Sequence, residues 1–193
     1  MRRNRPNTIR IIGGRWRSRI IAFPDSEDLR PTPDRVRETL FNWLGQTLPG
    51  LACLDLFAGS GALGFESLSR GAASVVMVEN DPRILKALHD NARKLGAANL
   101  TIVRGDALEF ARCTPLRFDV VFVDPPYRSG LHAPALTLVR DLLNAGSRVY
   151  VEMGAAVEHS AGWMVLKQAR AGAVRFYLLG RQPDDQGGIS GNV

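Results

Sequence analysis

The sequence predicts an α/β fold: a mostly parallel sheet covered on both faces, with an antiparallel hairpin at its end. Three observations carry this. Short β-prone apolar runs alternate with helix-period segments from Leu51 to Met153, and strands separated by helices imply right-handed crossovers within a parallel sheet. The last pattern, WMVLKQARAGAVRFYLL, reads instead as two strands around a short turn. A chain of 193 residues with 45% hydrophobic residues is also the right size for one domain with a small appendage.

Residues 1–8 show no apolar periodicity. From Ile9 to Phe23, TIRII and SRIIAF flank GGRWR, which predicts a hairpin or a pair of short strands. LRPTPDRVRETLFNWLGQ predicts a helix with Thr32 as N-cap and Pro33 at the first helical position. Val36, Leu40, Trp43 and Leu44 then follow at helical spacing. LACLDLF is a strand and GALGFESLSRG a helix closed by Gly71; SVVMVE is the next strand. NDPRILKALHDNARKLG is a helix capped by Asp81, with Pro82 in its first turn and Gly96 just past its end. LTIV is a third strand with a short helix from Asp106, FDVVFV a fourth strand and SRVYVEM a fifth. The expected organisation is an arginine-rich arm over 1–31, a main domain over 32–181 and a frayed polar tail over 182–193.

Charge is concentrated at one end. Residues 1–37 hold ten arginines against four acids, while the remainder balances to zero. Arginine's planar fork binds phosphate in bidentate fashion and stacks on bases. A basic stripe interrupted by Trp16, Ile11, Ile12, Ile20 and Ile21 therefore reads as a folded arm for a nucleic acid. Cys53 and Cys113 fall in apolar patterns, as reduced core thiols would. Three scattered histidines argue against a metal site. No signal peptide or membrane span is legible, so a cytoplasmic location is expected.

In a parallel sheet, ligands sit beyond the C-terminal strand ends. Asp55, Glu79, Asp106 and Asp124 all fall at or just past such ends. GSGALG, Gly59 to Gly64, has dinucleotide spacing, with Glu79 twenty residues after the first glycine, so a nicotinamide cofactor is one reading. Asp55 counts against it, because a pyrophosphate gains nothing from a carboxylate four residues before its loop. S-adenosylmethionine (SAM) suits the pattern better, since it carries a carboxylate for the loop's N–H groups and two cationic centres for an acid. Glu79 can accept from ribose hydroxyls in either cofactor. Asp106 can accept from an adenine amine or cap the helix that it starts.

DLFAGSGALGFESLSRGA, VVMVEND and FDVVFVDPPY, in this order and spacing, resemble the class I (Rossmann-like) SAM-dependent methyltransferases with an Asp-Pro-Pro-Tyr motif. The resemblance implies a seven-stranded sheet with the C-terminal hairpin as its antiparallel part and a small N-terminal hairpin/helix extension. It also implies a cofactor site at Asp55, Phe57, Ala58, Gly59, Ser60, Gly61, Glu79, Asn80, Asp106, Ala107 and Asp124, and a catalytic motif of Asp124, Pro125, Pro126 and Tyr127.

That motif suits a planar amine, whose lone pair is drawn into the ring. Asp124 and the Pro125 carbonyl can each accept one N–H, leaving the lone pair aimed at a methyl donor. Two prolines make the carbonyl's direction rigid. Tyr127 can stack on the base, worth ~1–3 kcal/mol. A carboxylate fits guanine's N1–H and N2–H₂ edge better than adenine's, although adenine-N6 enzymes carry the same motif.

RIIGGRWRSRII followed by LRPTPDRVRETLFNWL resembles the RsmD-type bacterial 16S rRNA guanine-N2 methyltransferases, which extends the match from about Arg10 to Leu179. By that resemblance, transfer to guanine N2 of 16S rRNA in an assembled or assembling 30S particle is expected. Arg10, Arg15, Arg17, Arg19, Arg30, Thr32, Arg35 and Arg37 would place the RNA or order the site's rim. Their alternative is helix capping and a surface ion-pair face. The rival readings of the whole chain are an adenine-N6 DNA or protein-amide methyltransferase and, in another class, a non-catalytic RNA-binding or ribosome-assembly protein.

Overall fold

The computed structural model describes residues 7–25, 32–126, 129–153, 162–172 and 174–182. The N-terminal piece is the expected hairpin: β1 (Asn7–Arg10) pairs antiparallel with β2 (Ile20–Phe23), from Asn7↔Phe23 to Arg10↔Ile20. A 3-10 turn, Gly14–Trp16, lies between them. Then come α1 (Asp34–Leu44), β3 (Ala52–Asp55), α2 (Ala62–Ser69), β4 (Ser74–Glu79), α3 (Pro82–Leu95), β5 (Leu100–Arg104), α4 (Ala107–Cys113) and β6 (Phe118–Val123). The chain closes with α5 (His132–Val139), β7 (Leu143–Met153), β8 (Trp163–Ala171) and β9 (Val174–Arg181).

Seven strands form one sheet in the order β5-β4-β3-β6-β7-β9-β8. The first five are mutually parallel. β9 enters antiparallel between β7 and β8. Two apolar layers cover the sheet, as continuous runs such as VVFV require. On one face Val120, Phe122, Tyr150 and Met77 pack with Leu40 and Phe41 of α1, Phe65 and Leu68 of α2, and Leu88 of α3. On the other, Leu54, Val121, Val123 and Val151 pack with Ala111 of α4 and with Ala135, Leu136 and Val139 of α5.

The hairpin is built into the first layer. Ile9, Ile11, Trp16, Ile21 and Phe23 are buried in the same cluster as α1 to α3. Ser69 Oγ accepts the Trp16 N–H at 2.9 Å and donates to the Gly13 carbonyl at 2.5 Å. Asn91 of α3 both accepts from the Ala22 N–H and donates to its carbonyl, at 3.1 and 2.8 Å. Gly14, at φ +71°, lies so close to the end of α2 that a Cβ would overlap the Ser69 carbonyl.

Three expectations need correction. α1 begins at Asp34 with Pro33 as its cap residue, and no side chain caps it. Thr32 is buried and spends its side-chain hydrogen bond on Glu152 instead. Cys113 is exposed at the end of α4, so Cys53 alone is a core thiol, its pKa pushed up to about 12 chiefly by burial. α5 was not legible in the sequence, because HAPALTLV is apolar almost all round and shows no amphipathic stripe.

Candidate active site

The four acids named from sequence all reach the carboxyl edge of the sheet. Asp55 ends β3, Glu79 ends β4, Asp106 follows β5 by two residues, and Asp124 follows β6 directly. Between Asp55 and α2, the loop Leu56–Gly61 is stitched to both neighbouring strands. The Leu56 N–H donates to the Phe122 carbonyl of β6 at 3.1 Å, and the Ala58 N–H to the Val78 carbonyl of β4 at 3.0 Å. Gly61 caps α2 in the left-handed region at φ +76°. A Cβ there would come within 2.6 Å of Leu88 and 2.7 Å of Phe65. Only glycine fits this turn.

Glu79 holds the loop from the side. Its Oε2 accepts the Gly59 N–H at 3.0 Å, and its Oε1 accepts the N–H groups of Asn80 and Asp81 at 2.8 and 2.9 Å. Two carboxylate oxygens offer about four lone-pair sites, so capacity remains for one further donor. Asp106 caps α4 through Oδ1 to the Glu109 N–H at 2.9 Å. Its capping role is therefore real, while the residue stays exposed. Ala107 is the first residue of α4 beside it. Phe57 is half-buried against the second apolar layer; Ala58 and Ser60 are buried within the loop.

Asp55 is buried, with Oδ2 accepting the Gly64 N–H at 3.1 Å. Burial raises its pKa to about 7, the Gly64 N–H opposes the rise, and the Glu79 charge adds to it. Asp124 is pushed upward for the same first reason, burial, followed by the charges of Glu152 and Asp55. Pro125 is buried behind it and Pro126 is exposed. Tyr127 lies outside the described residues.

Glu152, near the end of β7, was missed from sequence and belongs to this group. β6 and β7 run parallel with Val123 opposite Val151, so the next pair in register is Asp124 and Glu152. Burial raises the Glu152 pKa, while hydrogen bonds from Tyr150 and Thr32 hold it down. The Tyr150 hydroxyl donates to Oε1 at 2.7 Å. His132, at the start of α5, donates from Nε2 to the Glu152 carbonyl at 2.8 Å. The rule that exposed the other acids, a carboxylate at the end of a parallel strand, was present in SRVYVEM.

The arginines divide. Arg10, Arg15, Arg17 and Arg19 are exposed on the hairpin, and Arg35 on α1. The Arg15 guanidinium stacks 4.3 Å over the Trp16 ring. Arg37 is a correction: it is fully buried and cannot meet an external phosphate. Its Nη2 donates to Asp34 at 2.6 Å and to the Arg10 carbonyl at 2.8 Å, and its Nη1 faces Glu66 at 3.4 Å. Thr32, also buried, touches the site through Glu152. Arg30 lies outside the described residues. A cleft of about 340 Å³ opens between the hairpin and the start of α1, lined by Thr8, Arg10, Ile20, Thr32 and Asp34 among others.

A parallel sheet closed by an antiparallel β9, with a glycine loop and acids on its carboxyl edge, defines a Rossmann-like methyltransferase fold. Solved structures agree: the chain superposes on the yhhF protein of Escherichia coli with a TM-score of 0.81 at 41% identity, covering 91% of this chain and 99% of that one. It matches the family described as conserved hypothetical protein 95 over residues 9–180. It is 43% identical over 181 residues to ribosomal RNA small subunit methyltransferase D of Escherichia coli K12, covering 90% of each chain. The protein of the same name from Haemophilus influenzae is 38% identical, over 91% of this chain and 95% of that one. The chain belongs to this family, the RsmD-type methyltransferases.

Proposed function

We propose that this chain transfers a methyl group from SAM to the exocyclic N2 of a guanine in 16S rRNA, within an assembled or assembling 30S particle. One observation carries the reading: Asp124 and the Pro125 carbonyl stand at the sheet's carboxyl edge beside Asp55, Glu79 and the glycine loop. Asp55 and Asp124 are each pushed toward neutrality, first by burial and then by neighbouring carboxylates, so each gains by meeting positive charge, and SAM has two cationic centres. Bound there, it supplies an electrophilic methyl group on a sulfonium.

The chain's own residues supply position. Asp55 meets positive charge and stays tied to the first turns of α2 through Gly64. Glu79 retains capacity for a ribose hydroxyl, and Asp106 keeps Oδ2 for an adenine amine while Oδ1 caps α4. Asp124 and the Pro125 carbonyl each accept one N–H of the guanine amine, and Asp124 takes the proton that the amine releases. Rate gained in this way comes from orientation and preorganised charge. A paired base must leave its stack at a cost of a few kcal/mol, so a loop or bulge in the RNA is favoured. The exposed arginines of the hairpin and Arg35 neutralise phosphates around the cleft.

The test is to incubate the protein with labelled SAM and, separately, naked 16S rRNA, 30S particles, duplex DNA and a release-factor-like protein. Label in rRNA or particles is expected. Label only in DNA or protein overturns the reading, and SAM binding without any transfer favours the non-catalytic assembly protein.

A further inference from the structure

We propose that Glu152 is the residue that selects guanine, its carboxylate accepting the N1–H of the target base while Asp124 and the Pro125 carbonyl hold N2. This rests on the guanine-N2 reading above. The register places Asp124 and Glu152 side by side: β6 and β7 are parallel and paired up to Val123↔Val151. Aligned residues on neighbouring parallel strands share a face and stand about 4.8 Å apart. Two residues earlier, Phe122 and Tyr150 show that shared face directly, with ring centroids 6.4 Å apart. Adjacent donors on one purine edge thus meet adjacent carboxyls on one sheet edge.

Glu152 is also held ready. The Tyr150 hydroxyl reaches Oε1 at 2.7 Å, and Thr32 hydrogen-bonds the same carboxylate. His132 fixes the backbone from the other side of the sheet at 2.8 Å. Thr32 in turn lines the cleft between the hairpin and α1, which links the selecting group to the surface that carries the arginines. Adenine would present a lone pair at N1, and a carboxylate facing it would be repelled and left unpaired, a more costly mismatch than a missing contact. Asp124 and the Pro125 carbonyl alone accept two hydrogens from any exocyclic amine and do not discriminate. Glu152 adds the third contact, the one that differs between the bases.

The rival account is that Glu152 only anchors the start of α1 through Thr32. RNA carrying 2-aminopurine at the mapped target position separates the two, because this base keeps the C2 amine and lacks N1–H. A site built around a hydrogen bond rejects an analogue lacking it strongly, so the wild type should prefer guanine by ~10²-fold or more in kcat/KM. In Glu152→Gln the amide can turn its NH₂ toward the 2-aminopurine N1. The preference should then fall below ~10-fold, with SAM affinity and melting temperature close to wild type. Glu152→Asp, which keeps the acceptor, should retain the guanine preference even where turnover falls. A Glu152→Gln variant that slows both bases equally, or a wild type indifferent to the substitution, overturns the proposal. Failure of the wild type to methylate guanine at all is a separate outcome, and it removes the functional reading along with the proposal.

Discussion

Arg37 and Glu66 meet inside the protein, Nη1 to Oε2 at 3.4 Å, each with its side chain almost wholly buried. Glu66 also takes Arg70 Nε at 2.8 Å and the Ile12 N–H at 2.9 Å, so one carboxylate ties α1, α2 and the hairpin together. Removing one partner of a buried ion pair leaves uncompensated charge, at a cost of ~3–5 kcal/mol. Arg37→Ala should lose at least ~3 kcal/mol in denaturant unfolding. Arg35→Ala, two residues away and exposed, should stay within ~0.5 kcal/mol of wild type. Equal stability of the two variants would remove Arg37 from the framework.

The contrast between these arginines marks what the sequence could disclose. RPTPDRVRETLF places Arg35 and Arg37 on one helix, but which of them turns inward depends on Glu66, distant in sequence and buried for its own reasons. The alternation of strands and helices, the glycine loop and the four acids at strand ends were legible because each is a local pattern. Asp81 and Gly96 cap α3 as their sequence positions implied. Glu152 and Thr32 were not legible, because their partnership joins the end of β7 to the start of α1. Thr32 therefore read as a helix cap, which its position allowed and its burial replaced.

The glycine loop admits no side chain at Gly61, where φ is +76° and Leu88 would lie 2.6 Å from a new Cβ. Gly61→Ala should weaken SAM binding at least ~10-fold, on the order of 1.4 kcal/mol. Gly71→Ala, with open space at its Cβ position and a comparable φ of +92°, serves as the control for backbone strain alone. Calorimetric titration of both variants checks this, and equal affinities would contradict it.

Under the proposed function, Asp55 should make SAM binding pH-dependent. Its pKa is raised to about 7 in the folded protein by burial, and further by the Glu79 charge. A carboxyl raised in this way contributes stability that is full below its unfolded value near 3.9 and is lost as pH rises through about 7. The ligand-free protein should therefore lose stability from this group between about pH 4 and pH 7. SAM binding should strengthen over the same interval, because a cation is met by the charged form. Proton release on binding near pH 6.5, read from titrations in buffers of different ionisation enthalpy, checks the sign. Proton uptake would contradict it. Asp124 and Glu152, raised by burial and, for Asp124, by the Glu152 and Asp55 charges, act on the stability of the ligand-free protein in the same direction.

The hairpin arginines should act through phosphates. Arg15, Arg17 and Arg19 are exposed together on the connection between its two strands. Neutralising three phosphate contacts releases about three counterions, so the triple alanine variant should reduce the slope of log K against log salt by ~2–3. Its SAM affinity should be unchanged. An unaltered slope would move the RNA interface off the hairpin.

The central claim is that Asp124 and Pro125 present a guanine amine for methylation. The most direct test is nucleoside mass spectrometry of 30S particles treated with the protein and SAM, beside the same reaction with Asp124→Ala. The account predicts N2-methylguanosine at one 16S rRNA position with the wild type, and none with a variant that still binds SAM within several-fold. N6-methyladenosine in its place, or undiminished N2-methylguanosine from Asp124→Ala, would contradict it.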